Sequence, residues 1–269
     1  MAVTRRTVAA VGLYSIGIRG IEMEDLFALS TAYQIPFLHL RGGQRGFDLA
    51  RRDTTTLDRW ACRAQSSPPI TAVTADLDLA DFNRPGTQAY RRANAELDRL
   101  ADATALLGTH SVRLLARRVI EQREWAGIAL PNLAQYGMTT LIELHDPAWF
   151  TGQPLASMAA YLDRVEGLAL LIDTAQVHSA YLRAGSLNSL GDDLAALERH
   201  TRVVHISDNG YGLTGGGHRI VAQTFGRAGD DGHVEVAFEW TGADRSVQEC
   251  MSRYRYAVRW WRSSLEAGP

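Results

Sequence analysis

Short runs of apolar, often β-branched residues alternate with amphipathic stretches along the whole chain. Thr7–Tyr14, Pro36–Leu40, Ile70–Ala75, Ser111–Leu115, Thr139–Leu144, Ala169–Ile172, Arg202–His205 and Val234–Phe238 read as strands, too short and too continuous in apolar residues for helices. Between them, Glu22–Tyr33, Thr54–Ala64, Thr87–Leu107, a segment running to about Tyr136, Leu155–Val165, Leu190–Arg199 and Ala243–Trp261 carry helical periodicity. Eight alternations in 269 residues predict an α/β fold, a single (β/α)8 TIM barrel spanning 1–269 without a linker. A doubly wound open sheet is the rival, but no GxGxxG follows the first strand. Three connections are longer than a barrel requires: Arg41–Asp53, Asp76–Gly86 and the glycine-rich Ser207–His233. Loops after strands lie on the catalytic face, so these are expected to be lids, binding loops or surface excursions.

Four of the runs close on a residue that binds metals. They are Glu143 (TTLIE), Asp173 (ALLID), His205 (RVVH) and Glu239 (VAFE), separated by 30, 32 and 34 residues. Each gap is about one strand-plus-helix unit, so the four side chains converge over one end of the barrel. Three carboxylates and an imidazole brought together there repel one another unless a divalent cation holds them. An oxygen-rich set with one His suits one ion, Mn first, with Mg, Co or Zn as alternatives.

Composition removes several other chemistries. All 28 basic residues are arginine, which excludes a Schiff-base lysine and a Walker-type phosphate lysine. Arginine must then bind any phosphate or carboxylate on a substrate, with Arg41, Arg45 and Arg219 available in the long loops. A net charge of −2 gives no electrostatic footprint for nucleic acid or an acidic membrane, and no run is long enough to span a bilayer. Arg5-Arg6 before an apolar run resembles a twin-arginine export signal, but the run is short, contains Gly12 and Gly17, and stops at Arg19. Two cysteines far apart, Cys62 and Cys250, suit a reducing compartment. The expectation is a cytoplasmic protein acting on a small molecule.

The pattern Glu143-x-His145, Asp173-Thr174, His205-x-Ser207-Asp208-Asn209, Gly215-x-Gly217-His218 and Phe238-Glu239 resembles the xylose-isomerase-like barrels, the sugar and sugar-phosphate isomerases and epimerases with dehydratase and endonuclease relatives. The motifs occupy the chain from about residue 139 onward; the N-terminal half matches only in its strand/helix rhythm. The resemblance implies that Glu143, Asp173, His205 and Glu239 ligate one divalent ion. It also implies that Glu143 and Glu239 are the proton-transfer pair of a reaction through a metal-stabilised enediolate. The expected function is a sugar isomerase or epimerase. The alternative is a lyase or dehydratase on the same metal centre, since expelling a β-leaving group from that enediolate gives a dehydratase. An abasic-site nuclease needs more histidines than are present, and a barrel without catalysis does not explain the intact quartet.

Two departures concern the substrate. Where ketose epimerases of the family place a His three residues after the strand-six Asp, this chain has Gln176. Where they place an Arg six residues after the strand-seven His, it has Tyr211. Gln176 and Tyr211, with His218, Arg219, His145 and Trp240, form the expected substrate shell. Of these, His145 shares the strand face of Glu143 and either supports it or binds loop backbone. Arg219 either replaces the lost cation or is solvated. Trp149 could wall the pocket beside Trp240, His39 either lines the pocket or packs, and Asp208 either orients His205 or caps its loop. His110, His200 and His233 read as surface residues, and Trp260 and Trp261 as packing or contacts in a homo-oligomer.

Overall fold

The computed structural model describes residues 10–184, 187–230 and 234–266. Arg5-Arg6, the expected strand start at Thr7, and His233 lie outside them. Eight parallel strands, β1 (Val11–Tyr14), β2 (Leu38–Arg41), β3 (Ile70–Asp78), β4 (Ser111–Ala116), β5 (Thr139–Leu144), β6 (Leu168–Asp173), β7 (Thr201–Asp208) and β8 (Glu235–Trp240), close into a barrel in chain order. β8 pairs with β1 through Val11–Val236 and Leu13–Phe238. Closure leaves no unpaired edge.

The helices are α1 (Met23–Ala32), α2 (Thr54–Ala64), α3 (Gln88–Leu106), α4 (Gly152–Leu162), α5 (Thr174–Ala184), α6 (Leu187–Ala195), α7 (Gly216–Asp230) and α8 (Val247–Glu266). Local chemistry sets several starts. Asp53 caps α2 by accepting from Thr56 N at 2.9 Å, and Thr87 caps α3 by accepting from Tyr90 N at 3.2 Å. Outward strand residues such as Leu13, Leu40, Val73 and Ile142 are fully buried under the helices, each contributing roughly 1.5–3 kcal/mol. No described helix is long and apolar enough to cross a membrane.

Three expectations are corrected. Between β4 and β5 the described residues form only the 3-10 turns Trp125–Gly127 and Leu133–Tyr136, where a helix to about Tyr136 was expected. Ile128 instead bridges Asn83 in antiparallel fashion, Ala129 N donates to Phe82 O at 3.0 Å, and Pro131 has no N–H to continue a helix. After β6 an additional helix, α5, begins at Thr174, where Asp173 caps it directly; the helix expected over Leu190–Arg199 follows it as α6, Leu187–Ala195. The glycine-rich stretch after β7 is half helix: Gly217 lies so close to α5 that a Cβ would stand 2.3 Å from His178 Cα. That glycine serves helix packing, not approach to a ligand.

Inside the barrel, strand alternation stacks inward residues in layers. Ala72, Leu141, Ala169, Leu171 and Val203 form a small apolar plug. Two residues further along β3, β5, β6 and β7, the inward positions are Thr74, Glu143, Asp173 and His205, all buried. The polar layer therefore rests on a floor that is largely apolar, crossed by His39 and its bond to Glu235.

Candidate metal centre

Asp173, His205 and Glu239 each offer a ligand atom, and these atoms lie within 4.8 Å of one another with all three residues buried. The strand ladder sets this: Asp173 pairs with His205 across β6–β7, and Ser207 with Glu239 across β7–β8. Asp173 is the last residue of β6 and also the cap of α5. Its Oδ1 accepts from Ala175 N at 2.7 Å and Gln176 N at 3.0 Å, while Ser207 Oγ donates to Oδ2. Burial, then the charges of Glu239 and Glu143, push the Asp173 pKa up to about 7. Burial and Glu143 push Glu239 up to about 7 as well.

Glu143 stands apart from this cluster. Its Oε2 lies 3.0 Å from Arg113 Nε, and its Oε1 lies 2.7 Å from His145 Nδ1. Burial would raise its pKa, but the Arg113 charge and then the His145 hydrogen bond outweigh it and hold Glu143 down at about 2. The expected four-residue set is thus present as three convergent ligand atoms and one carboxylate drawn away by a cation on β4.

Arg113 itself is buried and donates to Ala75 O and Tyr14 Oη, each at 3.2 Å. Its contact with Glu143 is an ion pair at 3.0 Å. Tyr14 Oη also bonds Thr74 Oγ1 at 2.6 Å, and burial raises its pKa to about 12, so it stays protonated. Neither residue was expected at the site. A charged residue inside the apolar run SVRLLA was the available signal, because a strand buried on both faces admits an arginine only with a partner.

His39 was also undervalued. Its Nδ1 lies 2.9 Å from His205 Nε2, and its Nε2 lies 3.2 Å from Glu235 Oε2. His205 Nδ1 in turn lies 3.0 Å from Glu239 Oε2. Burial lowers both imidazoles to about 4, so both are neutral near pH 7. Two neutral imidazoles carry two protons, whereas the three contacts from Glu235 to Glu239 need three. With His39 donating to Glu235 and His205 donating to His39, the pair left without a proton is His205 Nδ1 and Glu239. That gap is filled either by a proton on Glu239 or by a cation. The donor set, one imidazole nitrogen and two carboxylates, suits a divalent ion there.

A cavity of about 690 Å³ opens above the site, lined by Tyr14, Arg113, Glu143, His145 and Glu239 among others. Glu239 belongs to both the ligand cluster and the cavity wall. Of the six residues expected to touch substrate, His145 alone lines it. Gln176 enters the site through its backbone N–H to Asp173. Tyr211 is 92% exposed on the outside of the loop, and Arg219 is exposed on α7. His218 packs on His178 and Trp260, its Nε2 3.2 Å from Ser207 O. Trp240 follows inward Glu239, so it points outward and donates to Asp244 O at 2.6 Å. Trp149 is likewise off the cavity, donating to Ala116 O, and Asp208 Oδ1 caps its loop through Gly210 N and Gly212 N.

The sequence matches no protein-family model and no curated protein. Solved structures do match. The D-psicose 3-epimerase of Clostridium cellulolyticum H10, crystallised with D-tagatose, superposes with a TM-score of 0.71 at 12% identity, over 95% of this chain and 99% of its own. The probable 3-DHS dehydratase AsbF of Bacillus anthracis gives 0.65 at 15%, over 92% and 98%. The IolI protein, with a zinc atom bound, gives 0.67 at 13%, over 95% and 99%. The fold is that of the xylose-isomerase-like barrels. At these identities the likeness is one of fold, and the chemistry rests on the residues of this chain.

Proposed function

We propose that this protein is a divalent-metal-dependent isomerase or epimerase of a sugar or sugar-like polyhydroxy carbonyl compound. The observation that carries the proposal is the double membership of Glu239, which joins Asp173 and His205 in the ligand cluster and faces the same cavity as Glu143. A divalent ion held by Asp173, His205 and Glu239, manganese first with magnesium, cobalt or zinc as alternatives, would polarise the substrate carbonyl and acidify the C–H beside it.

The chain's own residues account for the rest. Glu239 and Glu143 supply two carboxylates to take and return a proton. His145, whose side chain is 44% exposed, connects Glu143 to solvent for proton exchange. Arg113, which lines the cavity beside Glu143, supplies a fixed positive charge for a substrate oxygen on which negative charge builds as the proton leaves. A cavity of about 690 Å³ is in the range of small-molecule sites.

One observation favours a second reading, a lyase or dehydratase. Both oxygens of Glu143 are engaged, by Arg113 and His145, whereas Glu239 meets the neutral His205 and the Ser207 hydroxyl, with no cation beside it among the described residues, and faces the cavity. So unequal a pair suits removal of a proton by one base followed by loss of a β-leaving group. Incubating the Mn-loaded protein in deuterated water with a panel of ketoses, cyclitols and sugar acids tests both readings. Deuterium entering recovered sugar at one carbon supports the first, and a dehydrated product the second. No exchange and no product from any member, with metal bound, would overturn both.

A further inference from the structure

The cavity wall carries more positive charge than its acids can use. Arg45 is paired with Asp76 at 3.0 Å, Arg113 with Glu143 at 3.0 Å, and Arg52 stacks over Trp60 at 5.3 Å. That leaves Arg19, Arg41 and Arg245, from the ends of β1, β2 and β8, lining one cavity. Among the described residues none of the three forms an ion pair; Glu22, the remaining acid of the wall, is in none either.

Arg245 is held by backbone alone. Its guanidinium donates to Ile16 O, Thr241 O and Gly242 O at 3.2–3.3 Å, which fixes it between the loops after β1 and β8. Burial and then the positive charges of Arg19 and Arg41 work against its own charge. Arg41 is fixed at its backbone: its N–H donates to Ser15 Oγ at 2.9 Å, and its carbonyl accepts from Phe47 N at 2.8 Å. A Cβ on Gly46 would stand 2.0 Å from Arg41 O, so this turn admits only glycine there. Three like charges share this wall while Asp76 and Glu239 are each already paired with another residue, so the three arginines repel one another and an anion relieves that repulsion; guanidinium forks match the oxygens of carboxylate and phosphate.

We infer that Arg19, Arg41 and Arg245 form an anion subsite, and that the substrate carries a carboxylate or phosphate group at the end remote from the proton-transfer centre. The inference rests on the proposed catalytic role of this cavity, and it names the substrate class within it.

The test is equilibrium binding to the metal-free protein, followed by calorimetry. The probes are inorganic phosphate, ribose 5-phosphate, gluconate and, as the uncharged control, fructose. The expected result is saturable binding of at least one anion, tighter than fructose and weakened roughly tenfold in both R41Q and R19Q. A preference for the phosphates marks a sugar phosphate, and a preference for gluconate a sugar acid. Arg19 is exposed, so R19Q leaves the fold intact even where loss of Arg245 disturbs a loop. Anions that bind no better than fructose, or equally well to R41Q and R19Q, overturn the subsite. Mn binding to the same variants is read separately: if it is normal while anion binding is absent, the subsite fails and the metal centre stands.

Discussion

Arg113 Nε lies 3.0 Å from Glu143 Oε2, and both side chains are buried in the barrel. This contact separates Glu143 from the Asp173, His205 and Glu239 cluster and keeps it ionised. Removing one partner leaves a buried charge without compensation. Arg113→Met should therefore lower unfolding stability by about 3–5 kcal/mol, read from urea denaturation. The double variant with Glu143→Gln should recover part of that loss, because the orphaned carboxylate goes with it. An unshifted urea midpoint in Arg113→Met would show that the ion pair does not hold the site together.

The line from Glu235 through His39 to His205 makes a second prediction. His39→Leu removes the group that orients the His205 ring and leaves no fully buried charge, since the Glu235 side chain is 33% exposed. Affinity for Mn should fall about 10–100-fold by calorimetry while the far-ultraviolet circular dichroism stays native. Unchanged affinity would mean that packing alone holds His205.

The pH dependence of metal binding has a defined sign. Without metal, Asp173 and Glu239 keep protons up to about pH 7, while His205 is neutral above about pH 4. Raised carboxylate pKa values favour the metal-free fold at low pH, and that advantage is lost as pH rises through about 7. Between about pH 5 and 7 an entering ion must displace up to two protons, so affinity should rise with pH and level off above 7. Calorimetry in buffers of different ionisation enthalpy counts the released protons. Release that is zero at pH 6 would contradict the pKa assignment.

Once a substrate is in hand, Glu143→Gln and Glu239→Gln should each reduce kcat by about 10²–10⁴-fold. Glu239→Gln should also weaken metal binding, and Glu143→Gln should not, because Glu143 lies outside the ligand cluster. A Glu143→Gln variant with near-native turnover would leave Glu239 as the sole base and favour the lyase.

Much of this arrangement was legible in the chain. Glu143, Asp173, His205 and Glu239 each end a clear apolar run, and a residue at that place in a parallel barrel faces inward by alternation. What was not legible depends on long-range partners. Arg113, Tyr14 and His39 come from strands in the N-terminal half and are meaningful only through contacts to β3, β5, β7 and β8. The resemblance to ketose epimerases placed Gln176 and Tyr211 in the substrate shell, but the backbone N–H of Gln176 bonds Asp173 in the α5 cap and Tyr211 is 92% exposed on its loop. The segment to Tyr136 looked helical because bridging to Asn83 leaves no trace in local periodicity.

The central claim is that Asp173, His205 and Glu239 hold a divalent ion. It is tested most directly by elemental analysis of the purified protein beside Asp173→Ala and His205→Ala, after dialysis against Mn. The account predicts about one equivalent of metal per chain in the parent and a small fraction of that in each variant. Equal metal content in all three would contradict it.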